Sequence, residues 1–207
     1  MREKMLYAIR ERFSRISKVI GKAFSGTGLS PNQLSLISIP LALMTAGLII
    51  LQSFWLAALS LIITAFWDLV DGAVARETGK ATKFGGYLDG VVDKYVETII
   101  ALSLLFVPLP AFILPAQFWI ALYIFGEMNT TYAKAAAVEK GASKTEIRGG
   151  ILERPERTII ILIGILLAPF GLAYLTYIVV ILAVLSNITV FQRIQLAHKA
   201  SLNNRNK

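Results

Sequence analysis

Six long apolar runs decide what this chain can become. They extend from about Asn32 to Gln52, Phe54 to Arg76, Phe84 to Val107, Phe112 to Ala137, Thr158 to Leu172 and Tyr174 to Val190. An α-helix needs ~20 mostly apolar residues to cross the hydrocarbon core of a bilayer, and all but the short Thr158–Leu172 run are near or above that length. Pro108-Leu109-Pro110 and Gly171 punctuate the later runs. With 56% hydrophobic residues and a mean hydropathy of +0.64, the chain is far more apolar than a soluble domain of this size needs to be. The expected fold is therefore an all-α polytopic membrane protein with six transmembrane helices.

The net charge of +8 is concentrated in a few segments. Near the N-terminus, Met5, Leu6, Ile9, Phe13, Ile16, Ile20 and Phe24 recur at steps of mostly three or four. Arg2, Lys4, Arg10, Arg12, Arg15, Lys18 and Lys22 fill the other positions. That pattern predicts an amphipathic helix over residues 1–25, lying on the membrane with its basic face toward anionic headgroups, and not a nucleic-acid arm. The flexible Ser25-Gly26-Thr27-Gly28 turn ends it, and Ser30-Pro31 reads as the N-cap and first residue of the next helix. Residues 26–207 then form one six-helix domain. Lys and Arg occur in the N-terminal segment, the 76–83 loop, the 139–157 loop and the C-terminal tail, but not in the three other connections. By the positive-inside rule both termini and the two charged loops face the cytoplasm of a cell-membrane protein. No cleavable signal peptide is expected, because the charged N-terminus has no short apolar core. The absence of cysteine excludes disulfides, zinc thiolate sites and thiol nucleophiles.

Within this apolar sequence, four carboxylates stand out: Asp68, Asp71, Asp89 and Asp93. Spacings of i, i+3 and i, i+4 place each pair on one helix face. Two unit charges about 4 Å apart repel by roughly 4 kcal/mol at an effective dielectric near 20. The cluster therefore requires a cation. Oxygen ligands, with no cysteine and a single distant histidine, suit Mg²⁺, Mn²⁺ or Ca²⁺.

Asp68-x2-Asp71-Gly72-x2-Ala75-Arg76-x8-Gly85-x3-Asp89-x3-Asp93 resembles, at every fixed position, the motif of the CDP-alcohol phosphotransferases. The resemblance implies that the hydroxyl of an acceptor alcohol attacks a CDP-linked alcohol, usually a CDP-lipid, and that CMP leaves. It implies two Mg²⁺ ions, with Mn²⁺ as the alternative, held by Asp68, Asp71, Asp89 and in part Asp93. It assigns Asp93 as the general base. It also implies a CDP-alcohol site lined by Pro31, Asn32, Gln33, Leu34, Gly72, Arg76 and Thr82, and a homodimeric membrane enzyme. Ser35 stands where the family usually has threonine.

The acceptor must be read elsewhere. Lys134, the Ile151-Leu152-Glu153-Arg154-Pro155-Glu156-Arg157 segment and Arg193 supply cations at helix ends, and Pro155 suits a helix N-terminus, itself an anion site. Lys134, Arg154, Arg157 and Arg193 are the expected contacts of an acceptor phosphate. This resembles the branch that makes phosphatidylinositol phosphate or archaetidylinositol phosphate, with inositol 1-phosphate as acceptor. The alternatives are glycerol 3-phosphate or another acceptor, CDP-inositol as donor, and, from a different class, a cation transporter built on the carboxylates. Glu97 is expected to pair with Lys94 or to lie at a subunit interface, Glu127 and Asn129 to hydrogen-bond within the bundle, and Trp55 and Trp119 to anchor at the interface.

Overall fold

The computed structural model describes residues 17–26, 28–145, 147 and 149–205. Its helices are α1 (the helical residues 17–25), α2 (Pro31–Ile50), α3 (Phe54–Glu77), α4 (Lys83–Ser103), α5 (Ala116–Glu139), α6 (Arg154–Leu167) and α7 (Leu172–Arg205), with 3₁₀ turns at Leu104–Phe106 and Ala168–Phe170. Among the described residues, three helices are long and apolar enough to cross a membrane: α2, α3 and the Leu172–Leu202 part of α7. The other three expected spans are shorter or more polar. Asp89, Asp93, Lys94 and Glu97 interrupt α4, Glu127 and Lys134 interrupt α5, and α6 has 14 residues. The chain is an all-helical integral membrane protein. On α3 the outward face is a stripe of Trp55, Leu59, Ile62, Phe66 and Leu69, whereas Ala57, Ala58, Ser60, Leu61 and Thr64 are buried. Large apolar side chains outward and small or hydroxyl side chains inward are what a lipid solvent selects.

The helices fall into two compact units. The first takes in α1, α2 as far as Thr45, α3 from Leu59, and α4 as far as Ile99. Its core is Leu34, Val70 and Val74, covered by Ile20, Phe24, Ile37 and Trp67. Trp67 meets Phe24 edge to face, with centroids 5.7 Å apart, and donates its indole N–H to the Leu34 carbonyl at 3.0 Å. Thr45 Oγ1 lies 2.7 Å from Ser60 Oγ, a polar link between α2 and α3 of the kind that holds helices together in lipid. The described part of α1 keeps Lys18 and Lys22 exposed while Ile20 and Phe24 pack inward, as its amphipathic pattern requires. Residues 1–16 of the expected N-terminal helix lie outside the described residues. Gly21 sets how closely α1 approaches α3, because a Cβ there would come 2.8 Å from the Ala73 carbonyl oxygen. Ser30 caps α2 as expected: its hydroxyl accepts the Gln33 N–H at 3.3 Å, and Gln33 Oε1 accepts the Ser30 N–H at 2.9 Å.

The second unit contains Ala46–Ala58 and the chain from Ile100 onward. Here α7 is the axis. Asn187 donates to the Leu122 carbonyl on α5 at 3.0 Å, and Gly126 leaves room for that amide. Gly164 of α6 packs against Ile178 and Leu175, where a Cβ would come within 2.9 Å of either side chain. Several boundaries differ from the sequence expectation. The fourth helix starts at Ala116 and not near Phe112, because Phe112 and Leu114 form an isolated bridge before Pro115. The fifth starts at Arg154, not Thr158, because Glu153 and Glu156 form a capping box around Pro155. The last helix continues to Arg205, well beyond Val190, so Arg193 and His198 are helical and not part of a tail.

Candidate metal and nucleotide site

Asp68 and Asp71 lie one turn apart near the C-terminal end of α3, and Asp89 lies in the first half of α4. One carboxylate oxygen from each comes within 4.8 Å of the others. Asp71 is 4% exposed; its Oδ1 accepts the N–H of Gly72, while its buried Oδ2 has no hydrogen-bond partner. A buried carboxylate oxygen without a donor is costly, and two further carboxylates beside it raise that cost. A hard divalent cation removes both problems and suits an all-oxygen donor set. Asp93 stands one turn further along α4, half-buried, and is not among the three converging carboxylates.

A cavity of about 170 Å³ opens beside this group. Pro31, Asn32, Gly72, Arg76 and Thr82 line it, together with Asp71 and Asp89. Gln33 and Leu34 do not. The Gln33 side chain is engaged in capping α2, and Leu34 is fully buried in the core with its carbonyl bound to Trp67. Their neighbour Ser35 lines the cavity in their place. Lys80 also lines it, a residue at an unspecified position of the motif. The only available signal was its place in a charged loop between two motif halves.

The motif glycines keep this wall thin. A Cβ at Gly85 would stand 3.1 Å from both Asn32 Oδ1 and Thr82 Oγ1, and one at Gly72 would stand 3.2 Å from the Arg76 guanidinium. Thr82 begins α4 by accepting the Gly85 N–H at 2.9 Å. Arg76 is held from outside, donating to Ser17 Oγ of α1 at 3.0 Å.

The expected acceptor contacts occupy the second unit. Lys134 on α5 and Arg154 at the start of α6 are half-buried. Arg157 and Arg193 are each 3% exposed. Arg157 donates to the Leu152 carbonyl at 3.5 Å. Arg193 reaches from α7 to the Thr130 carbonyl on α5 at 2.5 Å and to the Gly149 carbonyl ahead of α6 at 3.1 Å, with Glu153 at 4.0 Å. It thus ties together the three elements that carry the basic set. Of the remaining polar residues, Lys94 pairs with Glu97, Glu127 is fully buried, Asn129 donates to the Phe125 carbonyl of its own helix, and Trp119 donates to the Phe112 carbonyl.

The family model described as CDP-alcohol phosphatidyltransferase matches residues 29–189. The archaetidylinositol phosphate synthase of Pyrococcus horikoshii is 34% identical over 195 residues, covering 94% of this chain and 97% of the relative. Among solved structures, the Mycobacterium tuberculosis phosphatidylinositol phosphate synthase with CDP-DAG bound superposes with a TM-score of 0.76 at 27% identity, covering 88% of this chain and 94% of that one. The same enzyme in complex with manganese and citrate gives 0.76 at 27% identity, covering 87% and 88%.

Proposed function

This chain belongs to the CDP-alcohol phosphatidyltransferase family, and from that premise we propose that it transfers the phosphoalcohol group of a CDP-lipid to inositol 1-phosphate, releasing CMP. The observation that carries the reading is the convergence of Asp68 with Asp71 and Asp89, the latter two in the wall of a cavity shared with Asn32, Gly72 and Arg76. One oxygen of Asp71 is left there for a cation. Asp68, Asp71 and Asp89, with a contribution from Asp93, would hold two divalent ions, Mg²⁺ with Mn²⁺ as the alternative. When bound, such ions neutralise charge on a diphosphate and stabilise the leaving CMP.

The chain's own residues supply the rest. Arg76, fixed by Ser17, and Lys80 offer cationic donors to the CDP phosphates. Gly72 and Gly85 let the nucleotide approach the backbone. Asp93, at the edge of the carboxylate group, takes the proton from the acceptor hydroxyl as its oxygen bonds to phosphorus and the bond to CMP breaks, a contribution of about 10²–10⁴-fold. Lys134 and Arg154 are the accessible candidates for the acceptor phosphate, supported by the buried Arg157 and Arg193.

The charged segments support a cytoplasmic active site with both termini on that side. Helices α4, α5 and α6 complete six spans, and a homodimer is the expected assembly. The test incubates the purified chain with Mg²⁺ or Mn²⁺, CDP-diacylglycerol or CDP-archaeol, and a panel containing inositol 1-phosphate, glycerol 3-phosphate, inositol and serine. CMP release with inositol 1-phosphate above the others is expected. CMP release with glycerol 3-phosphate instead would reassign the acceptor, and no release with any acceptor would overturn the transferase reading.

A further inference from the structure

Residues 149–153 form no helix, yet they are tightly held. Gly149 and Gly150 have φ of +124° and +121°, a conformation that side chains rarely adopt, so glycine at both positions permits this path into the loop. The backbone groups that follow are satisfied by side chains from a single face of α7. The Ile151 N–H donates to Gln192 Oε1 at 2.9 Å, and the Leu152 N–H donates to Thr189 Oγ1 at 3.2 Å. Positions 189 and 192 are spaced i, i+3, so one helix face reaches successive amides of the loop. Thr189 is fully buried and also donates to the Leu185 carbonyl at 2.8 Å, so its hydroxyl serves both its own helix and the loop. A Cβ at Gly150 would stand 2.5 Å from Thr189 Cγ2, which keeps loop and helix in contact. Leu152 is 1% exposed, and the next two residues are Glu153, which caps α6, and Arg154, which begins it.

We propose that Thr189 and Gln192 are positioning residues for the acceptor subsite: they fix the loop that sets where α6 starts, and with it the direction in which Arg154 is presented to the acceptor phosphate. This rests on the acceptor reading above. Neither residue carries charge, and both side-chain oxygens are engaged with loop amides. Their effect therefore separates from that of the cations. It falls on the phosphorylated acceptor and spares the CDP-lipid, whose candidate contacts are on α2, α3 and α4.

The test uses the full chain with Thr189→Val, Thr189→Ser and Gln192→Ala. KM is measured separately for inositol 1-phosphate and for CDP-lipid, and hydrogen exchange is followed at the Ile151 and Leu152 amides. Loss of one loop hydrogen bond in Thr189→Val or Gln192→Ala is expected to raise the acceptor KM about five- to tenfold, with the CDP-lipid KM within about twofold of wild type. Thr189→Ser, which keeps the hydroxyl, restores the acceptor KM toward wild type. Exchange at Leu152 quickens in Thr189→Val and at Ile151 in Gln192→Ala. An unchanged acceptor KM, or equal rises for both substrates, overturns the positioning role. Failure of the wild type to release CMP with any phosphorylated acceptor overturns the functional reading. Unchanged exchange at Ile151 and Leu152 overturns the fixing of the loop by Thr189 and Gln192 on its own.

Discussion

In the unit built on α2, α3 and α4, three carboxylates approach within 4.8 Å, and a buried oxygen of Asp71 is left without a donor. In the unit built on α5, α6 and α7, Arg157 and Arg193 are as deeply buried, but both donate to backbone carbonyls, at Leu152, Gly149 and Thr130. Both units place formal charge among apolar helices, where an uncompensated charge is expensive. For Arg157 and Arg193 the second meets that cost with its own main chain, and the two become braces. Glu127 Oε2 there is, like Asp71 Oδ2, buried without a hydrogen-bond partner. What sets the first apart is that its orphaned oxygen belongs to one of three converging carboxylates beside a cavity, an arrangement that a divalent cation would complete.

The largest effect is expected in the carboxylates. Asp89→Asn removes a charge that no main-chain group can replace, and CMP release should fall on the order of 10³-fold or more. Asp93→Asn should lose about 10²–10⁴-fold in turnover while keeping metal and CDP-lipid binding. Binding assays beside turnover check this, and loss of metal binding would leave Asp93 as a ligand without the role of base. In the other unit, Arg154→Ala should raise KM for inositol 1-phosphate by roughly tenfold or more and leave CDP-lipid within about twofold. An equal rise for both would make Arg154 a brace like Arg193.

A smaller effect is expected where α1 touches the first unit. Gly21→Leu forces α1 away from the Ala73 carbonyl and should cost about 1–3 kcal/mol in stability. It should also free Arg76 from Ser17, so the CDP-lipid KM rises while the acceptor KM does not. Smallest is Ser30→Ala, the cap of α2, which should lower thermal stability by about 1 kcal/mol, read as a shift in Tm.

The two units also differed in how far the sequence foretold them. The carboxylate cluster was legible because its information is local: two helix-spaced acid pairs, flanked by glycines, on consecutive helices. The cap at Ser30 and the Lys94–Glu97 pair were legible for the same reason. Gln33 and Leu34 sit beside residues that do line the cavity, but helical rotation turns one to a cap and the other to the core. In the second unit the informative contacts link residues some forty to sixty positions apart, such as Thr189 with Leu152 and Arg193 with Thr130. No pattern along the chain announces such pairs. The length of α7 was missed because its polar end lacks an apolar period, though it is helical to Arg205. Six apolar runs are visible in the sequence, and among the described residues α2, α3 and α7 are the ones whose length and composition alone suffice to cross a membrane. The charged residues of α4 and α5 and the shortness of α6 set the other three apart.

The central claim is that Asp68, Asp71 and Asp89 form a divalent-metal centre on which transfer depends. It is tested most directly by titrating Mn²⁺ into wild type and Asp71→Asn, following bound metal by electron paramagnetic resonance and CMP release in the same samples. Wild type should bind Mn²⁺ saturably and release CMP in step with occupancy, and Asp71→Asn should lose both. An Asp71→Asn protein that still releases CMP at the wild-type rate would contradict it.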